Sequence, residues 1–168
     1  MRRLAAAALL LAVSGALHPC LAQGSDNRAS SILVMPFENV KRDGTIFWLG
    51  EASSVLLADD LNAFGLHAIT RPERQQAFDR LQVPSSAVLT DATVIRIAQL
   101  VGAAQVIVGS LQRDADELVV RARSLALDVG RVQADVTERG PIPDLFAIFD
   151  RIALRLAPPP IRSTTGAA

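Results

Sequence analysis

The hydrophobic pattern of this chain changes its period near Gly102, and that change constrains the fold more than any other feature. Before it, a continuous apolar run at Ile32–Met35 is followed over 47–64 by apolar residues at helical spacing. After it come three β-branched or alternating segments with turn-forming residues between them, at 105–111, 118–127 and 131–137. The pattern predicts an α/β domain with a mixed sheet: early strands parallel, a C-terminal antiparallel meander, and flanking helices.

Local signals place the remaining elements. A short second strand is predicted at 66–69, and Thr70 with Glu73 matches a capping box that starts a helix ending near Leu81. A further helix is predicted from Thr90 or Asp91 to Gly102, where glycine favours a left-handed end. Asp144 is the predicted cap of a last helix, whose apolar residues are read as Leu145, Phe146, Phe149, Ile152 and Leu156.

The first residues have the layout of an export signal. Arg2 and Arg3 precede an apolar run at 4–17, and small residues at Cys20 and Ala22 favour cleavage between Ala22 and Gln23. The apolar run is shorter than the about 20 residues that a membrane-spanning helix needs. We therefore expect an exported protein, periplasmic or outer-membrane-associated, with no transmembrane span after cleavage. Lipid attachment at Cys20 is the minor alternative, because His18 and Pro19 fit a lipoprotein signal poorly.

These signals divide the chain into four parts. We predict a signal peptide at 1–22, a flexible lead-in at 23–31, an α/β domain at 32–157 and a disordered tail rich in Pro, Ser and Thr at 158–168.

Cleavage at this place removes the single cysteine of the chain. Disulfides, thiol catalysis and thiolate metal ligation are then excluded from the mature domain. The 17 basic and 17 acidic residues balance, and loss of Arg2 and Arg3 leaves a small acidic excess. A nucleic-acid partner would need a clustered basic face, so none is expected.

A search for catalytic motifs returns none. The only histidine beyond the predicted signal is His67, in a short apolar strand, and no P-loop, dinucleotide fingerprint or zinc-protease motif occurs. We expect no enzyme activity, no cofactor and no metal. The open alternative is an acid at Asp59 or Asp60, which lie at or near the apolar face of the first helix. Such carboxylates more often lie at a margin or pair with an arginine.

Three groups of residues are candidates for binding. Adjacent aromatics at Phe47 and Trp48 cannot both face one core, so an exposed member would mark a protein interface; burial of both is the competing interpretation. Arg121 and Arg123 alternate with small and apolar residues, which is typical of a solvated sheet face that a partner can contact. The loop after the first strand, at the end where open α/β sheets place ligands, carries candidate ligand residues Asn39, Lys41 and Asp43.

Several motifs resemble those of TolB amino-terminal-like domains, a group that includes FlgO-type, CsgG-like and LpoB-type envelope proteins. The resemblance rests on five segments, at 32–39, 47–52, 70–74, 102–110 and 127–132. It implies a non-catalytic envelope domain that binds envelope proteins, with Pro36, Gly50, Gly102 and Gly109 in structural roles and no catalytic residues to carry over. The predicted function is thus a periplasmic interaction or assembly domain, with self-association left open. The alternative is a small-ligand or glycan-binding domain that uses the loop after the first strand.

Overall fold

The computed structural model describes residues 31–84 and 89–157. The predicted signal peptide, its cleavage point at Ala22 and Gln23, Cys20 and the tail at 158–168 lie outside the described residues. Those assignments, and the boundaries of the domain, stay predictions.

The strands form one mixed sheet. They are β1 (Ser31–Val34), β2 (Glu38–Asn39), β3 (His67–Ala68), β4 (Gln105–Asp114), β5 (Glu117–Ala126) and β6 (Arg131–Pro141). The order is β3-β1-β4-β5-β6, and β2 continues the line of β1 along β4. β1 pairs in parallel with β3 and β4, whereas β4, β5 and β6 pair antiparallel. The predicted fold class is confirmed.

Four helices flank the sheet: α1 (Leu49–Ala63), α2 (Arg71–Arg80), α3 (Asp91–Val101) and α4 (Leu145–Leu156). The local signals explain their ends. The capping box of Thr70 and Glu73 is present, and Thr90 accepts a hydrogen bond from the Thr93 N–H at the start of α3. Gly102 ends α3 with φ 70°, a left-handed conformation that glycine adopts without strain.

The helices lie on both faces of the sheet and produce two cores. Residues of α1 and α4 pack on one face, with Val34 and Ile107 of the central strands among them. Residues of α2 and α3 pack on the opposite face with Leu33 and Val106, the neighbours of those two side chains. Alternate residues of the same strands therefore feed the two cores, which explains why the run at the first strand is apolar without interruption.

The structure corrects four details of the sequence prediction. The loop after β1 contains the short strand β2, whose polar residues hide its extended backbone. Phe64, the last residue of the stretch at 47–64 with apolar residues at helical spacing, and Phe146, read as an apolar residue of the last helix, are 45% and 67% exposed. Asp144 occupies the cap position of α4 but makes no side-chain capping bond, because a 3-10 turn at Ile142–Asp144 leads into the helix.

Candidate functional site

The carboxyl end of the parallel strands is filled by the side chain of Phe37. The strands β3 and β4 follow β1 along the chain and lie on opposite sides of it. In a sheet of this type, ligands usually bind in the crevice at the carboxyl end of the strands where the order reverses in this way. Here the Phe37 ring lies on Gly109 of β4, so close that a Cβ on Gly109 would collide with it, and it packs against Phe149 with ring centroids 6.1 Å apart. Its backbone N–H donates to the Gly50 carbonyl at 2.9 Å.

The sequence motifs of this region therefore meet at one place. Gly50 has no space for a Cβ because the Phe37 carbonyl oxygen would lie 2.8 Å from it. The structural roles expected for Gly50 and Gly109 are thus close-packing roles around a buried aromatic ring.

A buried ion pair closes the same end on the side of α2. Arg74 has a side chain only 3% exposed, and its Nη1 donates to the Val34 carbonyl at 3.0 Å. Its Nη2 donates to Glu51 Oε1 at 2.5 Å, and the same oxygen accepts from Arg71 Nε at 2.8 Å. Burial lowers the pKa of Arg74, and the nearby Glu51 carboxylate offsets part of that effect. The pair joins α1, α2 and β1, and the sequence offered only the separate residues, which lie far apart along the chain.

The predicted ligand loop uses its polar groups internally. Asn39 Nδ2 donates to the Asp43 carbonyl at 2.8 Å, and the Asp43 N–H donates to Asn39 Oδ1 at 3.2 Å. Lys41 Nζ donates to the Arg113 carbonyl at 3.1 Å. The Thr45 hydroxyl and N–H donate to the Asp43 carboxylate, and these bonds lower the pKa of Asp43. The three candidate residues lie together, with protein groups as their hydrogen-bond partners.

Phe47 and Trp48 are both exposed, by 73% and 49% respectively. The reason is local: Ile46 on one side and Leu49 on the other take the core positions and are almost completely buried. Burial of both aromatics, the competing interpretation of the sequence, is wrong.

A third exposed aromatic lies at the same end of the sheet. β6 runs parallel to β1 and β4, so α1 and α4 begin at the same end, and Phe146 is in the first turn of α4. We call Phe47, Trp48 and Phe146 the aromatic end. The sequence contained the signal for Phe146, because Leu145, Ile148, Phe149 and Ile152 follow the buried helical spacing and residue 146 does not.

Arg121 and Arg123 lie on the face of β5 that points away from α4. Leu118, Val120 and Ala122 alternate with them and are buried. Arg121 binds Asp135 of β6 with two hydrogen bonds, of 2.9 Å from Nε and 2.5 Å from Nη2, which lower the pKa of Asp135 and raise that of Arg121. Both arginines are exposed, and they lie on the opposite face of the sheet from α4, which carries Phe146 of the aromatic end.

The two candidate acids have different surroundings. Asp59 is exposed and Asp60 is half-buried. Burial, followed by the charges of Asp150 and Asp59, raises the pKa of Asp60. Within 31–84 and 89–157 no group of three or more His, Cys, Asp or Glu is arranged to hold a metal ion.

A polar cleft of about 250 Å³ lies beside β3, and its lining includes His67, Glu73, Arg80 and Leu100. None of the residues proposed from the sequence for binding lines it.

In the described part of the chain, no helix has the length and apolarity required to cross a membrane.

Comparison with known proteins gives structural matches only. No protein-family model and no curated protein sequence matches the chain. The lipoprotein GNA1162 from Neisseria meningitidis is similar in structure with a TM-score of 0.51 at 16% identity, over 76% of this chain and 99% of that one. A dodecamer of PelC from Paraburkholderia phytofirmans matches with a TM-score of 0.50 at 14% identity, over 78% and 91%. LpoB from E. coli matches with a TM-score of 0.50 at 16% identity, over 66% and 56%. The chain therefore shares the fold of GNA1162, PelC and LpoB, and LpoB belongs to the group of proteins that its sequence motifs resemble.

Proposed function

We propose that this chain is a non-catalytic interaction or assembly domain of the cell envelope, and that the aromatic end is its contact surface. The observation that carries the proposal is the exposure of three large aromatic side chains where α1 and α4 begin. The chain has six phenylalanines and one tryptophan. Phe37, Phe78 and Phe149 are buried, so the fold accommodates aromatic rings where its cores need them.

An exposed aromatic ring lacks the favourable free energy of burial, which contact with a partner would provide. Burying such a side chain is worth about 1.5–3 kcal/mol, which the aromatic end forgoes in the isolated domain. Aromatic residues dominate the binding energy of protein interfaces, because they bury a large area with few rotatable bonds.

The backbone of the aromatic end is held in place by buried side chains next to it. The buried side chains of Ile46, Leu49 and Leu145 fix the backbone directly beside Phe47, Trp48 and Phe146. A surface held in this way loses little conformational entropy when it binds, so more of the contact energy appears as affinity.

Two observations support a place in the envelope. The sequence predicts an export signal at 1–22, and GNA1162, which shares the fold, is a lipoprotein. PelC, which also shares the fold, is found as a dodecamer, which supports a role in assembly.

The internal hydrogen bonds of Asn39, Lys41 and Asp43 favour a structural role for the loop after β1 over ligand binding.

The test is photo-crosslinking in intact cells. A photoreactive amino acid at residue 48 should crosslink to a defined envelope protein, and Phe47→Ala combined with Phe146→Ala should reduce that product at least about tenfold, as expected for loss of interface anchors. Phe64→Ala is the matched control, since Phe64 is an exposed aromatic at the opposite end of α1.

Each outcome has a defined meaning. The substitutions remove exposed side chains, so the free energy of unfolding, measured by thermal denaturation, should change by no more than about 0.5 kcal/mol. A crosslinked product that Phe64→Ala reduces as much as the double substitution, or no product from residue 48, would contradict the proposal.

A further inference from the structure

The two edges of the sheet differ in how their backbone groups are paired. β3 has two residues, and its outer edge is satisfied by a side chain: the Ala68 N–H donates to Asn62 Oδ1 at 2.8 Å, and Asn62 Nδ2 donates to the Ala68 carbonyl at 3.1 Å. Asn62 thus takes the place of a neighbouring strand. β6 has eleven residues and ends the sheet on the other side, and no described strand pairs with its outer edge. Long free edges invite pairing with another strand.

The charges along β6 are complementary to a second copy of β6. Asp135, Thr137 and Arg139 alternate along one face of the strand. When two copies pair antiparallel about Thr137, Asp135 of each copy lies directly opposite Arg139 of the other. Opposite charges at such positions stabilise a strand pair, and symmetry makes the contact twice.

The other registers of the same face are less favourable. Pairing about Asp135 would place that carboxylate opposite itself. Gln133 lies at the shift in register between β5 and β6, and Arg131 beyond it pairs with Ala126 on the face of the sheet that α4 covers, so Arg131 does not extend the charge pattern of Asp135 and Arg139. A slip by one residue would exchange the two faces of the strand, one of which is covered by α4. The charge pattern therefore favours pairing about Thr137 over pairing about Asp135.

We propose that the β6 edge is a self-association surface, on which two copies of this chain join their sheets antiparallel through Ala134–Gly140. The existing ion pairs are compatible with this arrangement. Asp135 already accepts from Arg121, and Arg139 lies 3.2 Å from Glu117 and 3.5 Å from Asp114. A carboxylate accepts up to about four hydrogen bonds, so each Asp135 can also bind Arg139 of the second copy and extend one charge network across the joint.

A second copy fits this edge better than a foreign peptide, because the complementarity lies within β6 itself. Charged side chains on an edge strand discourage indiscriminate pairing. Here the same charges repel when two copies pair about Asp135 and attract when they pair about Thr137, so they favour their own sequence in that register.

The experiment uses the protein purified from cells that express the full chain, with its mass in solution measured by light scattering. We expect a dimer. Asp135→Arg and Arg139→Asp should each weaken it at least about tenfold, because each replaces two attractive contacts with two repulsive ones. An equimolar mixture of the two variants should restore a heterodimer, since arginine at 135 then meets aspartate at 139 and both unchanged residues also meet their partners. Arg131→Asp, the same kind of change on β6 outside the paired segment, is the control.

Circular dichroism establishes that both variants are folded, and both altered side chains are exposed. A monomeric protein, a dimer that neither variant weakens, or a mixture that stays monomeric would overturn the proposal. A dimer that Arg131→Asp weakens equally would also overturn it, since the dependence would then be on overall charge. An assembly larger than a dimer would show a different interface, because pairing about a two-fold axis closes at two copies.

Discussion

The buried Arg74 makes the stability of the domain depend on Glu51, and this dependence can be measured. Arg74 is 3% exposed and receives its compensation from two oxygens, those of Glu51 and the Val34 carbonyl. Glu51→Gln keeps the shape of the side chain but removes the negative charge. The guanidinium then stays buried without a counter-ion, and breaking a buried pair in this way costs about 3–5 kcal/mol. We expect a value of about 3 kcal/mol, at the lower limit, because Glu51 is 42% exposed and water reaches that side of the pair.

Two further variants separate the charge from the packing. Arg74→Met removes the charge and retains an apolar stem, so its cost should be about 1–2 kcal/mol, mainly from the unpaired Val34 carbonyl. In the double variant, Glu51→Gln with Arg74→Met, the carboxamide at residue 51 no longer faces a buried charge. The unfolding free energy of this variant should therefore lie close to that of Arg74→Met alone. Arg71→Ala is the control: Arg71 binds the same carboxylate but is 61% exposed, and its loss should cost less than about 1 kcal/mol.

The assay is equilibrium unfolding in urea followed by far-ultraviolet circular dichroism, with the midpoint and the slope fitted for each variant. The four proteins form a double-mutant cycle with an expected coupling of about 2–3 kcal/mol. The reasoning would be refuted by additive effects, or by a Glu51→Gln variant no less stable than Arg71→Ala.

Three other changes test the packing and the electrostatics. Gly109→Ala should destabilise the domain by about 2 kcal/mol, because its methyl group must displace the buried Phe37 ring; Gly44→Ala, where a Cβ meets open space, is the control, and both are read from urea midpoints. Glu138→Gln should cost about 1–2 kcal/mol in the same assay, since this buried carboxylate accepts from Arg151 at 2.8 Å and Arg155 at 2.7 Å, and a cost no larger than that of Asp59→Asn would contradict its role. Asp60→Asn should stabilise the domain at neutral pH by about 0.5 kcal/mol, because the raised pKa of Asp60 means that its ionisation opposes folding. The difference in unfolding free energy between the variant and the natural sequence should vanish below the unfolded pKa near 3.8 and grow as the pH rises from there through the folded pKa. A difference independent of pH would contradict this explanation.

Features with local causes were accessible from the sequence. The capping box at Thr70 and Glu73 and the left-handed Gly102 depend only on residues within one turn, and both are confirmed. The change of period near Gly102 places the parallel and antiparallel halves correctly, because burial on both faces or on one face leaves a different spacing of apolar residues.

Features that depend on contacts between distant elements were not accessible. Glu51 and Arg74 are separated by a helix and a strand, and nothing in either neighbourhood shows that they meet above β1. Glu138 lies in an alternating strand where a carboxylate reads as exposed, yet α4 covers it with Arg151 and Arg155. The sequence identified Phe47 and Trp48 as adjacent aromatic residues but left open whether one or both are buried. Both are exposed because Ile46 and Leu49 occupy the core positions on either side of them.

The two proposed surfaces have a joint geometric consequence. Antiparallel pairing of β6 with a second β6 reverses the strand direction across the joint, so the carboxyl ends of the two sheets face opposite ways. The aromatic end lies at the carboxyl end of β1, β4 and β6. A dimer joined through β6 would therefore present its two aromatic ends on opposite sides and hold two partner molecules apart, instead of gripping one of them twice. If both proposals hold, loss of the dimer through Asp135→Arg should leave the affinity for a single partner unchanged and abolish the bridging of two, because no avidity is available to one partner alone.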